Sequence, residues 1–123
     1  MKRQHRLLRS SDFARVRRQG RSWAHPLMVL SADRNDLPVT RFGFVVSRRI
    51  GKAVVRNRVK RRLREAARRH LHEVPPGWDV VILARAPIVE ARYAEIENVL
   101  TQLLARARPW MAERSGEEGA ACR

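Results

Sequence analysis

The stretch RFGFVVSRRIGKAVVRNRVKRRLREAARR, residues 41–69, decides how the rest of the chain reads. It opens as a strand over Arg41–Ser47. Phe42, Phe44 and Val46 alternate onto one face, and Gly43, Val45 and Ser47 onto the other. The second face is small, so something flat could approach it closely. Residues 48–52 make a basic, glycine-containing connection, and a helix is expected from Ala53 to His72. Val55, Val59, Leu63 and Ala66 or Ala67 fall at helical spacing and form its buried stripe. Arg56, Asn57, Lys60, Arg61, Arg64 and Arg68 fall on neighbouring rows. Across the stretch, Arg41, Arg48, Arg49, Lys52, Arg56, Arg58, Lys60, Arg61, Arg62, Arg64, Arg68 and Arg69 are opposed only by Glu65.

That imbalance has a cost. Like charges at Arg56/Lys60, Lys60/Arg64 and Arg64/Arg68 each destabilise an isolated helix by a few tenths of a kcal/mol. A merely solvated helix usually mixes signs to gain such pairs instead. A uniform basic face is therefore read as a surface for a polyanion, and a nucleic-acid backbone is the best candidate. The candidate contacts are Arg48, Arg49, Lys52, Arg56, Asn57, Arg58, Lys60, Arg61, Arg64 and Arg68. Asn57 adds a group that both donates and accepts, useful against riboses or base edges. The first amides of the helix, near Lys52–Val55, are free donors carrying partial positive charge. The Gly51-Lys52 pair does not complete a nucleotide-binding GxxxxGK[ST] loop: Val46 stands where the first glycine belongs and Ala53 replaces the hydroxyl residue.

The whole chain agrees with this balance. Its 123 residues suit one domain, its 44% hydrophobic content suits a folded core, and its formal net charge is +15. No apolar run approaches the roughly 20 residues needed to span a bilayer. The beginning, MKRQHRLLRSSDF, is basic without the apolar core of a signal peptide, so a cytoplasmic protein with no membrane partner is expected. Cys122 is the one cysteine and has no partner for a disulfide or a zinc cluster.

Along the rest of the chain, the first ten residues read as irregular. Ser10 or Ser11 caps a short helix starting near Asp12, with Phe13 and Val16 on its apolar side and Gly20 as its stop. Trp23–Ala32 reads as one strand and Asp33–Pro38 as a polar turn. After the basic helix, Pro75, Pro76 and Gly77 precede WDVVILA, residues 78–84, a continuous apolar run suited to a central strand. Pro87 breaks it off. A last helix is expected over Glu90–Ala107, ended by Pro109. The domain then spans residues 1–109, and 110–123 form a disordered tail. The order is α-β-β-α-β-α: an α+β fold, an α/β sandwich with a single sheet of about four strands and helices packed on it.

No residue set reads as a protein-made active site or a metal site. His70 and His72 lie two apart on a helix and do not face one another. Glu90, Glu95 and Glu97 read as solvated helix residues, and no Ser-His-Asp order is present. Phe13 suits base stacking and core packing equally. Trp23, Trp78 and Trp110 read as core or edge packing.

Beyond charge, the order of residues resembles the bacterial ribonuclease P protein family. Val46, Ser47, Arg48, Arg49 and Gly51 lead into Arg56, Asn57, Arg58, Lys60, Arg61 and Arg64 as that family's strand, turn and R-N-R helix do. Arg6, Leu7, Asp12, Phe13, Val16 and Gly20 match its early pattern, and Asp79, Val81, Ile82, Ala84 and Arg85 its later strand. The resemblance implies the protein subunit of a ribonucleoprotein that removes the 5′ leader of precursor tRNA. The RNA subunit carries the catalysis with Mg²⁺, which it mainly binds, and no further protein partner is required. It also implies a left-handed β-α-β crossover around the R-N-R helix, an exception to the right-handed rule. The helix then holds the catalytic RNA, and Phe13, Arg17, Val45 and Ser47 guide the leader. Two departures stand out. Arg17 occupies a position where the family often has a second aromatic, and the first strand has Met28 and Ser31 where an aromatic is common. Leader contacts would then lean less on stacking and more on phosphate charge. A ribosomal or general RNA-binding protein, and a stand-alone nuclease, are the alternatives.

Overall fold

Pro26 splits the apolar run that reads as one strand. In the computed structural model, which describes residues 3–121 with side chains through residue 114, Arg21–Ala24 (β1) and Met28–Arg34 (β2) form an antiparallel hairpin around it. The imide ring cannot donate to a ladder, so the turn falls there, closed by reciprocal backbone hydrogen bonds between His25 and Met28 at 2.9 and 3.2 Å. With Arg41–Val45 (β3) and Trp78–Ala84 (β4), the hairpin makes one four-stranded mixed sheet of order β1-β2-β4-β3. β4 pairs antiparallel with β2 and parallel with β3. It is the central strand its apolar run suggested, and the α+β class holds.

Three α-helices cover the sheet: Ser10–Gln19 (α1), Ala53–Arg68 (α2) and Tyr93–Ala121 (α3). The alternation read along β3 divides the core. Phe42 and Val46, with Val80 and Ile82 of β4 and Met28, Leu30 and Ala32 of β2, are buried against α2 and α3. α2 contributes Val59, Leu63, Ala66 and Ala67, the expected stripe, with Val55 only half-buried. On the opposite face Val81 is buried with Leu7 and Val16, and Phe13 and Val45 pack against them. So α1 lies on one side of the sheet and α2 and α3 on the other.

Several element ends differ from expectation, each for a local reason. α1 begins at Ser10 behind Arg9 with no side-chain cap, rather than at a serine cap before Asp12. Gly20 ends it in an extended conformation: a Cβ there would lie 2.5 Å from the carbonyl oxygens of Ala32 and Val16, so closeness of α1 to β2, not left-handed backbone, requires the glycine. The first ten residues are not irregular throughout. Residues Arg3–His5 form a 3₁₀ turn, and the Leu7 amide donates to the Phe42 carbonyl at 2.8 Å, extending the sheet edge. α2 stops at Arg68 instead of His72, and a 3₁₀ turn over Leu71–Glu73 follows.

The largest correction concerns the C-terminal side. Glu90 belongs to a 3₁₀ turn (Ala86–Glu90), and α3 starts at Tyr93 and continues through Pro109. Residues 110–114 are therefore helix rather than the start of a tail, because Met111 is fully buried and Trp110 packs between two other tryptophans. Burial of that turn outweighs the roughly 3 kcal/mol a proline costs in a helix interior. The α3 backbone stays helical to Ala121, also within the expected tail; the side chains from residue 115 on, and Cys122 altogether, lie outside the described residues.

Met111→Ala should lower unfolding free energy by about 2–5 kcal/mol, the scale of a buried methionine truncation. Urea denaturation measures it. A loss under about 0.5 kcal/mol, normal for a surface change, would show that the helix beyond Pro109 is not packed.

Candidate nucleic-acid interface

The basic face of α2 is assembled from its approach inward. The chain leaves β3 through Val46 and Ser47, makes a 3₁₀ turn over Arg48–Ile50, and passes Gly51 at φ +156° and ψ −167°, a conformation only glycine adopts easily. Lys52 then enters the helix with extended backbone. The Arg56 Nε donates to the Gly51 carbonyl at 3.2 Å, so this guanidinium braces the turn as well as facing outward. Arg48, Arg49, Lys52, Asn57 and Arg61 are exposed; Arg56, Arg58, Lys60 and Arg64 are half-buried, their stems lying along the helix surface. None of these cations is ion-paired among the described residues.

Arg68 behaves differently. Its guanidinium meets Glu65 in a fork at 2.6 and 3.3 Å, which holds the glutamate below the usual carboxylate range. Of the ten α2-region residues singled out, it is the one whose charge is already answered. Two neighbouring arginines are structural. Arg62 donates to the Ala91 carbonyl at 3.3 Å, and Arg69 pairs with Glu97 at 3.2 Å over the Tyr93 ring. The surface left for a polyanion is the N-terminal and middle part of α2 with the turn before it.

The second candidate group lies on the α1 side of the sheet. Gly43 is where the flat object anticipated from the small face sits, and the object is Phe13. A Cβ on Gly43 would lie 2.5 Å from the ring's Cε1. The half-buried ring rests on the cluster of Leu7, Val16 and Val81 beside Val45. At 100° per residue, Asp12, Arg15 and Gln19 share one flank of α1, while Phe13 and Arg17 share the other. The first flank looks along the sheet to Asp79. The second borders the other end of β4, where Val29, Leu83 and Val45 remain half-buried. Arg17 and Ser47 are exposed, and Ser47 runs directly into Arg48. The two groups are therefore contiguous: β3 carries the floor of one and leads into the start of the other.

What holds α1 there is an ion cluster that periodicity does not reveal. Asp79 is fully buried in β4. Arg41 binds it with two bonds, Nε to Oδ1 at 2.8 Å and Nη2 to Oδ2 at 2.7 Å. Asn35 Nδ2 donates to Oδ1 at 2.9 Å, and Arg15 of α1 donates to Oδ2. Arg15 also donates to Asp33 at 2.7 Å and to the Arg34 carbonyl at 2.7 Å. The Asp79 carboxylate raises the Arg41 guanidinium above its ordinary pKa. A signal was available: a carboxylate inside WDVVILA needs buried cations or a proton. Among the described residues no group of three or more His, Cys, Asp or Glu is placed to hold a metal ion.

With this geometry in view, comparisons with known proteins are consistent with one another. A family model for ribonuclease P matches residues 1–108. The ribonuclease P protein component of Roseiflexus castenholzii is 43% identical over 108 residues, covering 87% of this chain and 88% of the relative. That of Herpetosiphon aurantiacus is 43% identical over 110 residues, covering 89% of each. Among solved structures, the ribonuclease P protein of Staphylococcus aureus superposes with a TM-score of 0.78 at 30% identity, covering 85% of this chain and 95% of that one. The protein from Thermotoga maritima gives 0.74 at 31%, covering 82% and 96%.

Asp79→Asn should cost roughly 2–4 kcal/mol in urea denaturation. That is somewhat below the 3–5 typical of a broken buried pair, because Arg15 and Arg41 keep some solvent contact. A cost near zero would mean that the Asp79 cluster does not fix α1 on the sheet.

Proposed function

The chain belongs to the ribonuclease P protein family, and from that premise we propose that it holds the catalytic RNA on the outer face of α2 and the 5′ leader of precursor tRNA beside Phe13. Membership gives the coarser role, tRNA 5′ maturation as part of the ribonuclease P ribonucleoprotein. The finer assignment rests on one observation: Arg48, Arg49, Lys52, Arg61 and their half-buried neighbours form a cationic surface without carboxylate partners among the described residues, on the strand–turn–helix that also carries Val45 beside the half-buried Phe13 ring.

Each part has a physical task. Arg48, Arg49, Lys52, Arg56, Arg58, Lys60, Arg61 and Arg64 neutralise phosphates and release condensed counterions, the main source of affinity for a nucleic acid. Asn57 reads a ribose or base edge. Arg68 contributes less, since binding a phosphate means giving up Glu65. In the cleft, Phe13 offers a ring edge and part of a face, Val45 an apolar floor, and Arg17 and Ser47 a charge and a hydroxyl for the leader backbone. With Arg17 in place of an aromatic, the cleft combines one stacking group with one phosphate contact. Mg²⁺ supplies the hydrolytic chemistry when held by the RNA; this chain's residues bring the two polyanions together, which matters most when Mg²⁺ is scarce.

Reconstitution tests the reading. The purified chain added to a bacterial ribonuclease P RNA at low Mg²⁺ should stimulate 5′ leader cleavage. No stimulation would sink it, and cleavage without any RNA subunit would favour a stand-alone nuclease. RNA binding with no preference for precursor tRNA in the assembled particle would favour a general RNA-binding protein. Arg61→Ala should weaken binding to the catalytic RNA and flatten the dependence of log affinity on log salt by about 0.7–0.9 per lost phosphate contact. Arg68→Ala should change the slope less. Equal effects would remove the distinction drawn from Glu65.

A further inference from the structure

The three tryptophans and the arginines around them take no part in either surface. Trp110 of α3 sits with its ring centroid 5.5 Å from Trp23 and 5.2 Å from Trp78. Arg21 lies over Trp23 at 5.5 Å and over Trp110 at 5.8 Å. Arg114 lies over Trp110 at 5.4 Å and Arg34 over Trp78 at 5.5 Å. A groove of about 320 Å³ opens among Gln19, Asp33, Arg34, Trp78, Trp110 and Arg114.

Stabilisation alone is a poor account of this cluster. A cation over an exposed ring stabilises only weakly, and Arg21 and Arg114 both converge on the one Trp110 ring, where like charges repel one another. The carboxylate at the rim, Asp33, already accepts from Arg15 at 2.7 Å. Arg21 and Arg114 are exposed and in no ion pair among the described residues. A guanidinium resting on an indole is already ordered, so less entropy is lost when it binds something else. Its outer face stacks on bases and its N–H edge forks a phosphate. The groove lies near the low end of small-ligand pockets, about 300–1,000 Å³, which suits one nucleotide and not a duplex.

We propose that this groove is a second RNA site that takes one unpaired nucleotide, its base on Trp110 and the Arg114 guanidinium that line the groove, with Arg21 flanking the same ring. The inference rests on the reading that the chain binds RNA, yet it concerns a different place. β1, beside Trp110, is the sheet edge opposite β3, against which α2 packs. Three strand spacings put these edges roughly 14 Å apart. The nucleotide comes from the catalytic RNA or from the precursor tRNA; the chemistry is the same.

The test uses the full chain carrying Arg21→Ala and Arg114→Ala together. Both side chains are exposed, and a urea midpoint close to wild type confirms the fold. Affinity is measured for ribonuclease P RNA, and separately for leader-bearing precursor tRNA with the assembled particle. The expected result is a loss of roughly 10-fold for one of the two RNAs, the scale of a lost stacked base, with a salt slope lower by about one. The RNA affected identifies the source. Arg21→Lys with Arg114→Lys should keep the slope and lose part of the affinity, since charge remains and the planar stack does not. Four-thiouridine placed in the affected RNA should crosslink to the peptide holding Trp110. Unchanged affinity and slope for both RNAs would overturn the proposal. If instead the double variant weakens binding and Arg61→Ala does not, the assignment of α2 falls and the groove stands.

Discussion

A carboxylate buried in the central strand organises this molecule. Asp79 has no access to solvent, so its charge must be met inside the protein. Arg41 meets it from the neighbouring strand β3, Asn35 from the turn after β2, and Arg15 from α1 on the sheet surface. One group thus ties together elements far apart in the chain. Directional bonds do here what apolar contact alone could not. The core under α1 is small, consisting of Leu7, Val16 and Val81 with Phe13 and Val45 against them, and such a patch would tolerate sliding. The ion cluster sets the lengthwise position of α1, and with it the place where the Phe13 ring meets Gly43.

On the other face the constraint is reversed. α2 carries more like charge than a free helix would tolerate, and it is kept helical by what it buries. Val59, Leu63, Ala66 and Ala67 are fully withdrawn from water, and at about 25 cal/mol per Å² their burial outweighs several repulsive pairs of a few tenths of a kcal/mol each. The fold can therefore display cations toward solvent without losing the helix that spaces them. Where charge is answered, at Arg68 with Glu65 and Arg69 with Glu97, it is toward the helix end, away from the exposed turn.

Much of this is legible in the sequence, and what is not has physical causes. Periodicity located the α2 stripe and divided β3 into two faces, because each pattern is local and repeats several times. The small face containing Gly43 announced a close approach but not its partner, since Phe13 lies thirty residues earlier in the chain. The hairpin at Pro26 was hidden by the apolar residues on both sides of it. Pro109 was read as a stop because the local cost is real; the compensating burial of Met111 and the tryptophan cluster is tertiary and invisible in a window around the proline. The Asp79 network is the same kind of case. The odd residue is visible, while Arg15 and Arg41, two of many arginines, are not distinguished by sequence from those that face water.

The strand order has one more consequence, in the time domain. β2 and β3 are not neighbours; β4 lies between them and is made after both. No sheet wider than the hairpin exists until Ala84 has left the ribosome, and α2 has no completed surface to dock on before then. Closing so many non-local contacts at once makes folding slow relative to a helical protein of equal length. Until β4 is made, the most basic part of the chain lacks the sheet surface that anchors it. The cationic helix therefore gains its packing surfaces, β3 set against β4 and then α3, only after the strand bearing Asp79 is in place.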